Sequence, residues 1–287
     1  NECSSMPIPL RKSTETSEST TFNQCWPNLV YLPSYPTSGN SLAKKFFSLA
    51  TGLNTGAIWP NEGSLLYDYG TNDLKVYQKS RMNCEGGLAV PYSGRVALTK
   101  THYPTSNKND EKIYNETFSN AIPTQIVHIA RNPGDNLARN EIRWSNKDNT
   151  KYNVRYMLRK VRGNCGRIIA KASQWNDFHR FWLEEAYSYS GTNNDNGPVP
   201  RMILHYEHMS TPQGVDAEMN QFLSFVNETQ RYQVNYKEHV KEPEYQQGSL
   251  FVKACGIENA NKLHDATRDV SEMLGYKFDS TAGVWSL

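Results

Sequence analysis

Tyr35-Pro36-Thr37-Ser38-Gly39-Asn40-Ser41 follows the apolar run Leu29-Val30-Tyr31-Leu32 and precedes Leu42, Phe46, Leu49 and Leu53 at helical spacing. The short apolar run, the turn bearing proline and glycine, and the change to a helical period read as strand, tight loop, helix. Such a loop gathers backbone N–H groups and a helix N-terminus around one point, where an anion binds well. Set against the nucleotide-binding pattern GxxxxGK[ST], the segment keeps Gly39 and Ser41, lacks the first glycine and carries Asn40 in place of the lysine. Losing the cation that reaches the β- and γ-phosphates disfavours an ATPase or kinase. A shorter anion held by the backbone still fits.

Other segments repeat the arrangement of an apolar strand with polar residues at its carboxyl end. Val96-Ala97-Leu98 runs into Lys100-Thr101-His102-Tyr103-Pro104. Gln125-Ile126-Val127-His128-Ile129-Ala130 runs into Arg131-Asn132-Pro133-Gly134-Asp135, with Pro133 where a helix can start. Met202-Ile203-Leu204 runs into His205-Tyr206-Glu207. Helical periods cover 175–190 (Trp175, Phe178, Trp182, Ala186, Tyr189), 213–226 and 258–275. Alternation of this kind predicts an α/β domain with a central parallel β-sheet flanked by helices and a ligand outside the carboxyl ends of the strands. Residues 54–94, rich in Gly, Tyr and Asn, read as an irregular excursion over the active-site face. Residues 1–27, polar and carrying Pro7, Pro9 and Pro27, read as an extended N-terminal arm or stem, leaving 28–287 as the single domain.

With 287 residues, 37% hydrophobic and 11% aromatic, the chain can bury a full core, which excludes disorder. Lys and Arg (31) nearly balance Asp and Glu (29), so no global field grips nucleic acid or an anionic membrane, and an anion site must be local. No stretch is apolar for long enough to span a bilayer, and the first residues lack a signal-peptide pattern. The expectation is therefore a soluble piece whose membrane attachment, as by a signal-anchor, would come from a segment outside this sequence. Cys3, Cys25, Cys84, Cys165 and Cys255 lack CxxC spacing, which points away from zinc and toward disulfides or buried thiols, a Cys3–Cys25 bridge across the arm among them. The sequons Asn115-Glu116-Thr117 and Asn227-Glu228-Thr229, taken with the cysteines, favour a glycoprotein of the secretory pathway.

The ordered motifs resemble those of the sulfotransferases that use 3′-phosphoadenosine 5′-phosphosulfate (PAPS). Tyr35 to Ser41 is similar to the family's phosphosulfate loop YPKSGTTW, Lys100 to Pro104 to its KTHxP segment, and Arg131 to Asp135 to its RNPxD motif. Tyr206-Glu207 stands where the family has YED or YEE. Ser38 to Ser41, Ala50 to Gly56, His205-Tyr206-Glu207 and Gly248-Ser249 bring the likeness nearest to the Golgi-type, WSC-domain-containing carbohydrate sulfotransferases, over roughly residues 29–275 and without the WSC module. The resemblance implies the P-loop-containing nucleotide hydrolase-like (sulfotransferase) fold, PAPS as co-substrate with no metal required, a glycan or small-molecule acceptor, and a Golgi-lumenal or secreted location.

Residue by residue, the resemblance implies that the backbone of Pro36, Thr37, Ser38, Gly39, Asn40 and Ser41, with the two serine hydroxyls, holds the 5′-phosphosulfate. It implies His102 as general base, Lys100 as a cation offsetting developing charge, and Arg131 at the 3′-phosphate. Arg139 stands where the family has a serine; a further phosphate cation and a solvated basic face shared with Arg143 are equal readings. Thr37 replaces the family's loop lysine, so the missing cation falls to Lys44 or Lys45 on the following helix. The terminal RKGxxGDW motif is reduced to Gln247-Gly248-Ser249 with Lys253 nearby, which the resemblance sets at the 3′-phosphate. His128, inside an apolar strand, reads as a core histidine. His205 and His208 form a pair with metal-like spacing but no convincing third ligand. The competing readings are a P-loop kinase or nucleotide hydrolase and a nucleotide-binding module that has lost turnover.

Overall fold

The structure, a computed structural model, describes residues 29–53, 55–57, 64–68, 73–77, 97–102, 123–145, 154–186, 198–240 and 250–287. Its sheet contains β1 (Leu29–Pro33), β2 (Thr55–Ala57), β3 (Ser64–Asp68), β4 (Asp73–Tyr77), β5 (Ala97–Thr101), β6 (Gln125–Ala130) and β7 (Arg201–His205). The strand order is β4-β3-β2-β5-β1-β6-β7. Strands β5, β1, β6 and β7 run parallel, and β2 joins parallel to β5. Strands β3 and β4 form an antiparallel edge hairpin. The helices are α1 (Asn40–Thr51), α2 (Pro133–Ser145), α3 (Val154–Arg162), α4 (Cys165–Ala170), α5 (Ala172–Arg180), α6 (Tyr206–Met209), α7 (Val215–Phe225), α8 (Tyr236–His239), α9 (Leu250–Cys255) and α10 (Ile257–Met273). A small hairpin, β8 (Lys277–Asp279) with β9 (Val284–Ser286), follows.

The pleat assigns each strand residue to a face, because successive side chains point to opposite sides. Leu29, Tyr31, Ile126 and Ala130 meet Leu137 and Ile142 of α2, Trp175 and Phe178 of α5, Phe251 of α9 and Leu263 of α10. Val30, Leu32, Leu98, Val127 and Ile129 meet Ala43, Phe46 and Phe47 of α1 and Met219 and Phe222 of α7. The central strands are thus buried on both sides, which explains their near-continuous apolar sequences. Each fully buried Phe or Leu contributes about 1.5–3 kcal/mol through area removed from water.

Residues 54–94 correct the expectation of an irregular excursion. Their described portions extend the sheet, Thr55 to Ala57 pairing with Leu98 to Lys100 and Ser64 to Asp68 with Asp73 to Tyr77. The alternation is short, and the surrounding Gly, Asn and Tyr hide it in a window long enough to show a period. The aromatic helix is also shorter than its periodicity suggested: α5 is followed by a wide turn over Phe181–Glu185, and Ala186 N–H donates to the Phe181 carbonyl at 2.6 Å. Tyr189 and the rest of 187–190 lie outside the described residues, as do the arm, Val96 and the Asn115 sequon.

A disulfide joins Cys165, at the start of α4, to Cys255, at the end of α9. Cys3, Cys25 and Cys84, and with them the expected Cys3–Cys25 bridge, lie outside the described residues. No described helix is long and apolar enough to cross a membrane.

Candidate functional site

The chain leaves β1 through α1 toward β2, on the β5 side of the sheet, and leaves β6 through α2 toward β7, on the opposite side. Strands β1 and β6 are neighbours, so their outgoing turns part and open a crevice at their carboxyl ends, the usual ligand position in such sheets. Tyr35 to Ser41 forms one wall and Arg131 to Asp135 the other.

The first wall is a tight turn. Ser38 N–H donates to the Tyr35 carbonyl at 3.0 Å, and Thr37 (φ 70°) and Gly39 (φ 104°) both take left-handed backbone conformations. That conformation is costly for a β-branched residue such as Thr37. Its neighbours hold it there: Thr37 Oγ1 donates to the Asn136 carbonyl at 3.0 Å, and Arg131 NH1 donates to the Thr37 carbonyl at 3.1 Å. Asn136 Nδ2 in turn donates to the Pro36 carbonyl at 2.9 Å. The Thr37 side chain thus points back to α2 rather than standing in for a loop lysine. Gly39 is required twice over, since a Cβ there would lie 2.2 Å from Tyr206 Cδ2 in addition to meeting the positive φ. No side chain caps α1, and the buried Ser38 hydroxyl has no hydrogen-bond partner among the described residues. An uncapped helix N-terminus beside an unpaired hydroxyl suits a phosphate or sulfate group.

The second wall satisfies most of its polar groups, Arg131 Nε having no partner among the described residues. Asn132 Oδ1 accepts the Asp135 N–H at 2.9 Å, an N-cap that explains why Pro133 can begin α2. Glu207 Oε1 accepts from both the backbone and the side chain of Asn132, at 3.0 and 2.8 Å, and Oε2 accepts the Tyr276 hydroxyl at 2.9 Å. Burial and this carboxylate push the Tyr276 phenol well above its ordinary value. Asp135 Oδ1 accepts the Leu250 N–H at 3.2 Å, and Oδ2 lies 3.6 Å from Arg131 NH2. The Arg131 guanidinium stacks 4.1 Å above the Tyr206 ring. The Tyr206-Glu207 pair therefore fixes both walls, a role that motif order alone did not reveal.

At the end of β5, His102 Nδ1 donates to the Ser34 carbonyl, and the Ser34 hydroxyl lies 3.5 Å from the same nitrogen. A proton held on Nδ1 leaves the lone pair on Nε2, the tautomer a general base needs. Asn40 reaches this group as well: its Nδ2 donates to Ser34 Oγ at 3.0 Å, while the Ser41 hydroxyl donates to Asn40 Oδ1 at 3.1 Å. Asn40 and Ser41 thus connect the loop to Ser34 and His102 rather than offering free ligand atoms. Lys100 (6% exposed) shares its pleat face with Leu98, which packs against α1, and Lys44 (4% exposed) lies one turn beyond Asn40 on α1 itself. Both lysines belong to the α1 side of the sheet, and Lys44 is not a solvated helix lysine.

The remaining expected residues divide. Arg139 stands two turns beyond Arg131 on the α2 face that bears Asp135, and burial and the Arg131 charge lower it to about 10. It is a partly buried cation, whereas Arg143 is exposed. Gly248 and Ser249 lie outside the described residues; Leu250, which follows them, is tied to Asp135. Lys253 is exposed on α9.

The histidines also resolve. His128 is a core histidine paired with His179, Nε2 to Nδ1 at 2.6 Å. Burial, with the neighbouring His205 ring and Arg201 guanidinium, lowers His128 to about 3, and burial holds His179 well below its ordinary value, so both rings are neutral. His205 and His208 do have a third companion, Glu218. Thirteen positions separate it from His205 in sequence, which is why local spacing missed it.

No family model and no curated protein matches the chain.

Proposed function

We propose that the chain is a PAPS-dependent sulfotransferase acting on a hydroxyl or amine of a carbohydrate or other secretory-pathway acceptor. One juxtaposition carries the reading. The uncapped Tyr35–Ser41 turn, with its unpartnered Ser38 hydroxyl, lies at the carboxyl end of β1 beside His102, whose Nδ1 proton is held by Ser34. The backbone N–H groups at the start of α1 and Ser38 would hold the phosphosulfate, and the buried Arg131 and partly buried Arg139 would supply positive charge on the adjoining wall. The acceptor gives its proton to His102 Nε2 as its oxygen or nitrogen attacks sulfur. The bond from sulfur to the bridging phosphate oxygen breaks, and that oxygen keeps the electron pair. Lys100 and Lys44 would offset its charge, replacing the loop lysine absent at Thr37. The Cys165–Cys255 disulfide and the exposed Asn227 sequon, in the turn after α7, support a secretory, Golgi-lumenal location.

Calorimetry with adenosine 3′,5′-bisphosphate and with ATP tests the nucleotide class. The bisphosphate is expected to bind more tightly, and a preference for ATP would return the chain to the kinase and hydrolase reading. Transfer of radiolabelled sulfate from PAPS to a panel of glycans, phenols, steroids and peptides tests turnover. Loss of transfer to the whole panel, with binding kept, would make the chain a binding module. In the His102→Ala variant kcat should fall by about 100- to 10,000-fold with bisphosphate affinity unchanged. Retained turnover would remove His102 as the base.

A further inference from the structure

Next to Tyr206 in the chain, His205 ends β7, His208 lies in α6 and Glu218 lies in the first turn of α7; none belongs to the Tyr35–Ser41 and Arg131–Asp135 walls, the cradle of the crevice. Each offers one donor atom, and the three atoms lie within 4.8 Å of one another. The transfer chemistry uses none of them.

Their hydrogen bonds give the cluster direction. Glu218, only 5% exposed, is fixed because its Oε1 accepts the His205 backbone N–H at 2.7 Å. Its second oxygen faces His208 Nδ1 at 3.0 Å. His205 Nε2 donates to the Leu274 carbonyl at 2.8 Å, so the lone pair sits on Nδ1, 3.9 Å from Glu218 Oε1. A ring whose outer N–H is held by a backbone carbonyl while the other nitrogen presents its lone pair is the usual posture of a metal-ligating histidine. The His208 side chain is 47% exposed, which leaves a path from solvent.

Distance and donor type then select the ion. Bonds of about 2.0–2.1 Å in a tetrahedral site put donor atoms about 3.4 Å apart. His208 Nδ1 and Glu218 Oε2 are 3.0 Å apart and all three donor atoms lie within 4.8 Å of one another, so side-chain rotation, led by the exposed His208 ring, would bring them to an ion. Two imidazoles and one carboxylate suit zinc, whereas magnesium and calcium call for more oxygen ligands.

We propose that His205, His208 and Glu218 form a zinc site completed by solvent in the fourth position. On binding, His208 carries its proton on Nε2 toward solvent and presents Nδ1 to the ion. Glu218 Oε2 exchanges its hydrogen bond for the metal, and Oε1 keeps the His205 N–H. The ion would lock the β7–α6 junction from which Tyr206 and Glu207 reach the cradle walls. The site stands independently of the nucleotide that the cradle takes.

The test uses the chain stripped with a chelator and titrated with zinc by calorimetry, and with cobalt by visible absorption. One zinc equivalent, a tetrahedral cobalt spectrum and a zinc-dependent rise in melting temperature are expected. His208→Ala, at an exposed position that leaves the core intact, should weaken zinc by about 10- to 100-fold or more and abolish the cobalt band. His264→Ala, on α10, should leave all three readouts unchanged. Absence of a zinc equivalent, or equal binding in His208→Ala and the unaltered chain, overturns the site. Loss of binding in His264→Ala alone assigns the ion elsewhere and overturns it as well.

Discussion

Two strand-to-helix turns stand side by side at one end of the sheet, β1 into α1 and β6 into α2, and they treat their polar groups in opposite ways. The β6 turn satisfies most of its polar groups: Asn132 caps α2, and Glu207 and Asp135 bind the neighbouring backbone and side-chain donors, with Arg131 Nε alone in the turn lacking a partner among the described residues. The β1 turn has Gly39 at the cap position, two left-handed residues and a Ser38 hydroxyl with no partner among the described residues. Its strain is held by the other turn, through Asn136 and Arg131. Unsatisfied donors are tolerable where an adjoining rigid element over-determines the backbone that carries them. One turn serves as the buttress and the other as the receptor.

Paired glycine substitutions test that division most severely. Gly39→Ala forces a Cβ into Tyr206 and should lower affinity for adenosine 3′,5′-bisphosphate by more than about 100-fold, through misplacement of the turn. Gly134→Ala puts a Cβ 2.6 Å from the Trp285 ring and should cost about 1–3 kcal/mol of stability by overpacking, with affinity little changed. If both lose binding alike, the two turns do not have separate roles. Next in size come the polar groups. Asn132→Ala should lower stability by about 1–2 kcal/mol, since it removes the cap and strips Glu207 of a partner. Ser38→Ala should leave stability within about 0.5 kcal/mol and weaken the bisphosphate by about 10-fold, as for a lost hydrogen bond to an anion. Denaturant unfolding and calorimetry on both variants should give this crossed pattern, and the reverse assignment would exchange receptor and buttress. The smallest effect belongs to Thr37→Gly. Relief of about 1–3 kcal/mol of backbone strain is offset by the lost bond to Asn136 and by glycine's entropy, so the melting point should barely move. A large drop would show that Thr37 is not strained.

Much of this arrangement was legible because it is local in sequence. The β6 strand, the Pro133 helix start and the polar residues at strand ends follow from period and turn chemistry, and they set the parallel core. What escaped was what distant segments supply. The purpose of Gly39 depends on Tyr206, the charge surroundings of Arg139 on Arg131 and Asp135, and the direction of Asn40 on Ser34 and His102. Lys44 illustrates the limit well: on a helix period alone it is an ordinary surface cation, and only the position of α1 against the sheet buries it. The short strands at 55–77 escaped for another reason, being too brief for alternation to stand out.

The Cys165–Cys255 link closes a covalent ring, and that ring contains Tyr206, Glu207 and the chain leading to Leu250. The closure restricts the unfolded chain by an amount worth about 4–5 kcal/mol in the chain-entropy view for a loop of this length. The practical consequence concerns how the protein is made. Material produced in a reducing host would emerge as an open chain, with α9 held by packing and by hydrogen bonds such as those from Leu250 N–H to Asp135 and from Arg162 to the Ala254 carbonyl. Such a preparation could fold and stay soluble yet fail the bisphosphate-binding and transfer tests, so oxidising expression belongs in the first assay rather than among its later refinements.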